Sequence, residues 1–170
     1  VPQTGEVVAM AQNTVYGVGE DETMSNYAAD GSFQVGSTFK VFVLAEWYKE
    51  GRSGYETIDG RTNFPNGSFK CDGEPVHTES WNVVDLAGKD GAFNVIGATG
   101  ISVNHSFVNM ASKLNFCDIF QVAADMGIDD GNGQPILAVP GNILGSGSAS
   151  PLTMARAFAT FVNDGKMCQP

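Results

Sequence analysis

The chain has 170 residues, 42% hydrophobic, 10% aromatic and 16% charged, which suits one globular domain with a core and excludes a disordered tail. Nineteen acidic against nine basic side chains give a net charge of −10, so nucleic acids and anionic membrane surfaces are poor partners. The longest apolar runs, Val7–Ala11 and Val41–Ala45, fall far short of the roughly 20 residues a bilayer span needs, and Val1 opens no basic signal region, so the segment is expected to be water-soluble.

In chain order, Gly5–Gln12 (GEVVAMAQ) is a short apolar run entered from a turn, which predicts a buried strand. Residues 13–36, rich in Gly, Asp, Asn and Ser, predict mostly loop. A helix is expected from Ser37, a good N-cap type, to Glu50, with Gly51 as its stop. Its apolar residues, Phe39, Val41, Phe42, Val43, Leu44, Ala45 and Trp47, surround the axis, which marks a central helix buried on most sides. Residues 52–81 are punctuated by Asp59-Gly60, Pro65-Asn66-Gly67 and Asp72-Gly73 and predict an irregular surface excursion. Helical patterns return at 92–99, 105–114 and 118–126, the last stopped by Gly127. Residues 131–149 predict loop around the apolar piece Ile136–Val139; Ser150-Pro151 then opens a helix that Asn163-Asp164-Gly165 closes. One strand cannot form a sheet, because it leaves a row of backbone donors and acceptors unpaired. Either the strand is misassigned or its partners lie outside this chain.

Cys71, Cys117 and Cys168 contain no C-x-x-C pair, and one must stay unpaired in any single-chain scheme. Ordinary thiols are the expectation, with a bridge from Cys71 to a partner as the alternative.

Lys40 sits in a helix otherwise apolar all round, where an ammonium pays a large desolvation cost unless it is paired or neutralised. Ser37, three residues earlier, falls on nearly the same face. A serine beside a lysine of lowered pKa is an activated nucleophile with its base, and a helix N-terminus offers N–H groups to an oxyanion. The plain alternative is that Ser37 caps the helix and Lys40 snorkels to the surface.

The stretch Phe33–Phe42 (FQVGSTFKVF) resembles the active-site segment of the penicillin-binding proteins, serine acyl-transferases that cross-link peptidoglycan. Ser102-Val103-Asn104, followed by His105-Ser106-Phe107-Val108, resembles the family's second signature, S-x-N, at the head of a helix. Residues 142–157 resemble the helix downstream of it, and Thr4–Met10 the first strand, so four segments in family order are spread along most of the chain. Met10–Asn13 and Gly165–Pro170 point more finely to the bifunctional class A branch of actinobacteria; Val35 and Gly100-Ile101 depart from it without touching a catalytic side chain.

The resemblance implies an α+β fold, a five-stranded antiparallel sheet flanked by helices. The third signature, K-T-G or K-S-G, does not occur here, and its place falls beyond Pro170. Residues 1–170 are therefore expected to be the N-terminal and central part of one transpeptidase domain, with the remaining strands on a downstream segment or companion chain. Ser37 is expected to attack the penultimate D-alanine of a stem peptide and form an acyl-enzyme. Lys40 is expected to take its proton, Ser102 to relay a proton to the leaving or incoming amine, and Asn104 to bond the substrate amide and orient Lys40. Gly36 is expected to line the substrate site, and the Ser37 N–H to supply half of an oxyanion hole. β-Lactams would acylate the same serine. No cofactor or metal is implied, and the domain would lie on the extracytoplasmic face of the membrane, anchored from outside this chain.

A serine β-lactamase shares S-x-x-K, but no E-x-x-L-N segment is present to activate a deacylating water. A β-lactam-sensing receptor that is acylated once remains an alternative, as does an inactive piece of a longer domain. His77 and His105 lack ligand-spaced partners, and Asp129-Asp130-Gly131-Asn132-Gly133 lacks the spaced ligands of an EF-hand. Asn66-Gly67-Ser68 and Asn104-His105-Ser106 match the glycosylation pattern only as a frequent coincidence.

Overall fold

A computed structural model describes residues 1–86 and 88–169. Its helices in chain order are α1 (Tyr27–Asp30), α2 (Lys40–Lys49), α3 (Val95–Gly100), α4 (Asn104–Ala111), α5 (Phe116–Asp125) and α6 (Pro151–Val162). The strands are two-residue pieces, each paired in a two-stranded ladder. The chain divides into two compact units, Val1–Val35 with Ala123–Ile136 and Gly147–Pro170, and Gly36–Val122 with Leu137–Ser146. No helix among the described residues is long and apolar enough to cross a membrane.

In the second unit α2 is the central helix its sequence predicts: Phe42, Val43 and Trp47 are fully buried, and Gly51 ends it at φ +75°. The buried indole is satisfied, its Nε1 donating to the Ser53 carbonyl at 3.1 Å. Phe64, Phe69, Phe116, Phe120, Phe39 and Phe42 touch in that order, with neighbouring ring centroids 5.0–6.0 Å apart. This aromatic chain ties residues 52–81 to α5 and to the start of α2. The excursion is thus less superficial than its turns suggest, since Ile58, Phe64 and Phe69 are buried in it. Its ladders pair Thr57–Ile58 with Phe93–Asn94, Asn63–Phe64 with Trp81–Asn82, and Lys70–Cys71 with Glu74–Pro75, all antiparallel. Asp72 (φ 52°) and Gly73 (φ 87°) make the last a tight hairpin with both central residues left-handed.

Cys71 and Cys117 are joined by a disulfide, with Cα atoms 5.2 Å apart, which corrects the expectation of ordinary thiols; Cys168 carries the free thiol. Neither spacing nor composition could choose the pairing. The fold does so by laying the Lys70–Cys71 strand beside Asn115, whose side chain accepts from the Asp72 N–H at 3.1 Å.

In the first unit Ser150 caps α6 as expected, its Oγ accepting from the Thr153 N–H at 3.0 Å with Pro151 behind it. α1 packs on α6, and Phe33–Gln34 pairs antiparallel with Ser148–Ala149. The expected buried strand at Gly5–Gln12 does not form: residues 6–11 are exposed and lie outside every described ladder. A strand exists only through the neighbour that takes its backbone hydrogen bonds. Instead residues 5–11 line an open apolar groove of about 370 Å³ with Pro151, Leu152, Ala155 and Ala159 of α6.

Candidate active site

The approach to Ser37 is set by two glycines. Gly36 takes φ +56° and donates its N–H to the Gly145 carbonyl at 2.9 Å, while Gly145 takes φ +77° at the end of the Pro140–Leu144 3-10 turn. A Cβ on Gly145 would fall on the Gly36 carbonyl, and that backbone cannot yield as a flexible side chain could. From Gly36 the chain makes a 3-10 turn, Gly36–Phe39, that runs into α2. Ser37 therefore lies inside this turn, correcting its expected place as an N-cap. Gly145→Ala should lower stability by about 1–3 kcal/mol and slow any reaction of Ser37, checked by thermal unfolding and by adduct formation with a penicillin.

Ser37 is exposed, whereas Lys40, one turn later, is 4% exposed. Lys40 Nζ donates to Ser102 O at 3.0 Å, Ser102 Oγ at 3.0 Å and Asn104 Oδ1 at 2.6 Å, and stands 5.4 Å from the centre of the Phe107 ring. The structure thus joins S-x-x-K to S-x-N across some sixty residues of sequence. It does not snorkel Lys40 to the surface, and none of these three bonds goes to the Ser37 hydroxyl. Burial pulls the Lys40 pKa down from 10.5 to about 8, with Asp85 opposing the shift and Lys89 adding to it.

Ser102 holds a left-handed backbone at φ 56°, unusual for a residue other than glycine and costing of order 1–3 kcal/mol. The conformation turns the chain at the head of α4, so that Ser102 O and Oγ both meet the Lys40 ammonium. Asn104 is the first residue of α4; its Nδ2 donates to Val84 O at 2.9 Å, which turns Oδ1 towards Lys40. One Nδ2 proton remains for a further acceptor.

Two residues at this site carried no sequence signal for chemistry. The α4 N-cap, Val103, has no side-chain oxygen, and the cap comes instead from Asp85. Asp85 Oδ1 accepts from the Asn104 N–H at 2.5 Å, and Oδ2 from the His105 N–H at 3.0 Å. His105 Nδ1 lies 2.6 Å from Asp85 Oδ2, and Nε2 lies 2.9 Å from Gly91 O. The Asp85 and His105 side chains are 6% and 1% exposed. Burial pushes the Asp85 carboxyl up, but the N–H groups of His105 and Asn104 and the His105 ring outweigh it and hold the group below the usual carboxylate range. Asp85 stands about twenty residues from its partners and matches no motif, so spacing could not have found it.

In the first unit, the Asp129 and Asp130 carboxylates are taken up by backbone N–H groups of their own turn, at 2.8 Å to Gly131 and to Asn132. In chemical terms the cluster offers an exposed hydroxyl in a tight turn, an amine of lowered pKa one turn on, and a hydroxyl and an amide fixed against that amine. That is the equipment of nucleophilic acyl transfer.

The family model described as the penicillin binding protein transpeptidase domain matches residues 1–170. A Penicillin-binding protein 1A of Aquifex aeolicus (strain VF5) is 26% identical over 169 residues, covering 99% of this chain and 21% of that protein. The fold is similar to that of penicillin-binding protein A from M. tuberculosis, solved as its imipenem acyl-enzyme complex: TM-score 0.74, 19% identity, 98% of this chain and 45% of that one. PonA1 from Mycobacterium tuberculosis is similar at TM-score 0.65 and 24% identity, over 86% of this chain and 38% of that one. The chain thus spans about a fifth of the curated relative and under half of each of these solved structures. Its matched length, mixed helix and strand fold and paired signatures together establish that the chain belongs to the penicillin-binding protein transpeptidase family.

Proposed function

We propose that residues 1–170 form the N-terminal and central part of a D,D-transpeptidase domain of the class A kind, which cross-links peptidoglycan through an acyl-enzyme on Ser37 and is acylated there by β-lactams. The observation that carries the reading is the triple bond set of Lys40 Nζ to Ser102 and Asn104. In the first step a neutral Lys40 amine takes the Ser37 proton as Oγ attacks the carbonyl of the penultimate D-alanine. The Ser37 N–H supports the oxyanion, with Gly36 lining the substrate beside it. The tetrahedral intermediate then expels the terminal D-alanine as the C–N bond breaks, and Ser102 passes the Lys40 proton to that leaving nitrogen. An acceptor amine on a second stem peptide attacks the ester and releases Ser37, with the proton transfers reversed. Asn104 holds Lys40 by Oδ1 and offers its remaining Nδ2 proton to the substrate amide.

At pH 7 about a tenth of a lysine with pKa near 8 is neutral, so such a base operates at moderate cost. The Cys71–Cys117 disulfide supports a place on the oxidising, extracytoplasmic side of the membrane. The other half of the site, with the K-T-G signature and the remaining strands of the five-stranded sheet, would come from a downstream segment or companion chain. The exposed residues 6–11 and the apolar groove they line support its docking there. Amides of residues 7–11 should accordingly gain hydrogen-exchange protection only when the K-T-G segment is present; equal exchange with and without it would sink the pairing.

The deciding experiment is intact-mass spectrometry of the full-length protein, its Ser37→Ala variant and this segment alone after incubation with benzylpenicillin. A drug-mass adduct on the full-length protein and none on Ser37→Ala is expected. Release of D-alanine with transfer to an added acceptor amine separates a transpeptidase from a β-lactam sensor, and rapid loss of the adduct to water would mark a β-lactamase. A folded protein without any adduct overturns the acyl-enzyme reading.

A further inference from the structure

We propose that Asp85 and His105 are a buried positioning pair for acylation: together they fix Asn104, and through it the Lys40 amine, in the geometry the reaction needs. The inference rests on the acyl-enzyme reading above and adds two residues outside both signatures.

Three linked observations carry it. Asn104 is held from both ends, its N–H on Asp85 Oδ1 at 2.5 Å and its Nδ2 on Val84 O at 2.9 Å, so residues 84 and 85 set the angle at which Oδ1 meets Lys40 Nζ at 2.6 Å. The Asp85 carboxylate is itself held by the His105 ring at 2.6 Å, and the far ring nitrogen is pinned to Gly91 O at 2.9 Å. Both ring nitrogens face oxygens, and the oxygen at Nδ1 is that of the Asp85 carboxylate, an acceptor for a ring N–H. Asp85 Oδ2 therefore takes two bonds from His105 and Oδ1 one from the Asn104 N–H, so an amide in place of the carboxylate would turn an N–H against the donors on one side or the other.

A pair built only to cap α4 would not need this. The two backbone bonds of Asp85 already cap the first two N–H groups of α4, while the ring contact adds a link to Gly91. The charged groups acting on Lys40 are Asp85, which favours its ammonium, and Lys89, which opposes it; His105 faces Asp85 from α4, and the Lys89 ammonium donates to the Ile101 carbonyl. Removing the Asp85 charge makes Lys40 easier to deprotonate, even as the loss of positioning slows the reaction.

The test follows acylation of the full-length protein by a fluorescent penicillin from pH 6 to 10. Asp85→Asn should acylate about 10- to 100-fold more slowly on its plateau, with the acid limb of the rate profile displaced to lower pH. A folded Asp85→Asn with the wild-type rate and profile overturns the proposal. So does a slower variant whose acid limb has not moved, because a purely structural role would give that.

Two histidine variants decide the matter should Asp85→Asn fail to fold. In His105→Asn the amide nitrogen stands where Nδ1 does and keeps the bond to Asp85; in His105→Gln it stands nearer Nε2 and keeps only the bond to Gly91. His105→Gln should be about tenfold slower than His105→Asn, and equal rates in the two folded variants overturn the pairing. A wild-type protein that takes no adduct at all overturns the acyl-enzyme reading itself, and is distinguished in this way from a wild type that reacts alongside unaffected variants.

Discussion

Lys40→Ala should remain folded yet react with benzylpenicillin roughly a thousandfold more slowly than wild type, the loss expected when a positioned general base is removed. The wild-type rate should fall about tenfold per pH unit below pH 8, because in the proposed mechanism only the neutral amine accepts the Ser37 proton and burial places the Lys40 pKa at about 8. The same substitution should leave a mark on stability. The folded protein releases the Lys40 proton near pH 8 and the unfolded chain near 10.5, so between these values the unfolded state binds more protons. The stability of the wild type should therefore gain up to about 3 kcal/mol as pH rises through that window, and Lys40→Ala should lack the gain. Chemical denaturation of both proteins from pH 7 to 10.5 would measure it. Parallel stability curves would mean that Lys40 keeps an ordinary pKa in the fold, and the base assignment would then lose its physical support.

The second large effect is expected from the disulfide. Cys71 and Cys117 are 46 residues apart, and in the chain-entropy model opening a loop of that length costs about 4 kcal/mol. Replacing both cysteines by alanine should lower Tm by roughly 10 °C, and reducing agent should do the same to wild type and nothing further to the variant. The bridge joins the hairpin after Phe69 to the start of α5 beside Phe116, two members of the aromatic chain that runs through Phe39 in the Ser37 turn to Phe42. Below the unfolding transition the variant should still form its penicillin adduct, since Gly36, Gly145 and the bonds of Lys40 hold the turn without it. An unchanged Tm would show that the aromatic contacts alone carry this part of the fold.

The elements that could be read directly are those whose determinants are local. Helices α2 and α6 are announced by a buried-helix composition ended by Gly51, and by the Ser150-Pro151 cap. The turn at Asp72-Gly73 needs only two residues tolerant of positive φ. The same local reading failed at Gly5–Gln12, because a strand depends on the partner that completes its ladder, and that partner is not among the ladders formed here. It failed again for the cysteines, where chain reversal decides which sulfur faces which.

The candidate site divides along the same line. Ser37, Lys40, Ser102 and Asn104 were legible as two short signatures, because the spacing of a serine and a lysine within one helical turn is a local matter. What the sequence alone determined is thus the family, its two short signatures and the helices they lie on or beside. Only the tertiary structure decided that Lys40 turns its three bonds to Ser102 and Asn104, that Gly145 presses on Gly36, and that Asp85 and His105 brace Asn104 from behind. The physical reason is that burial, backbone strain at φ 56° and the satisfaction of a buried carboxylate are settled between segments distant in the chain, where no periodicity or spacing reaches.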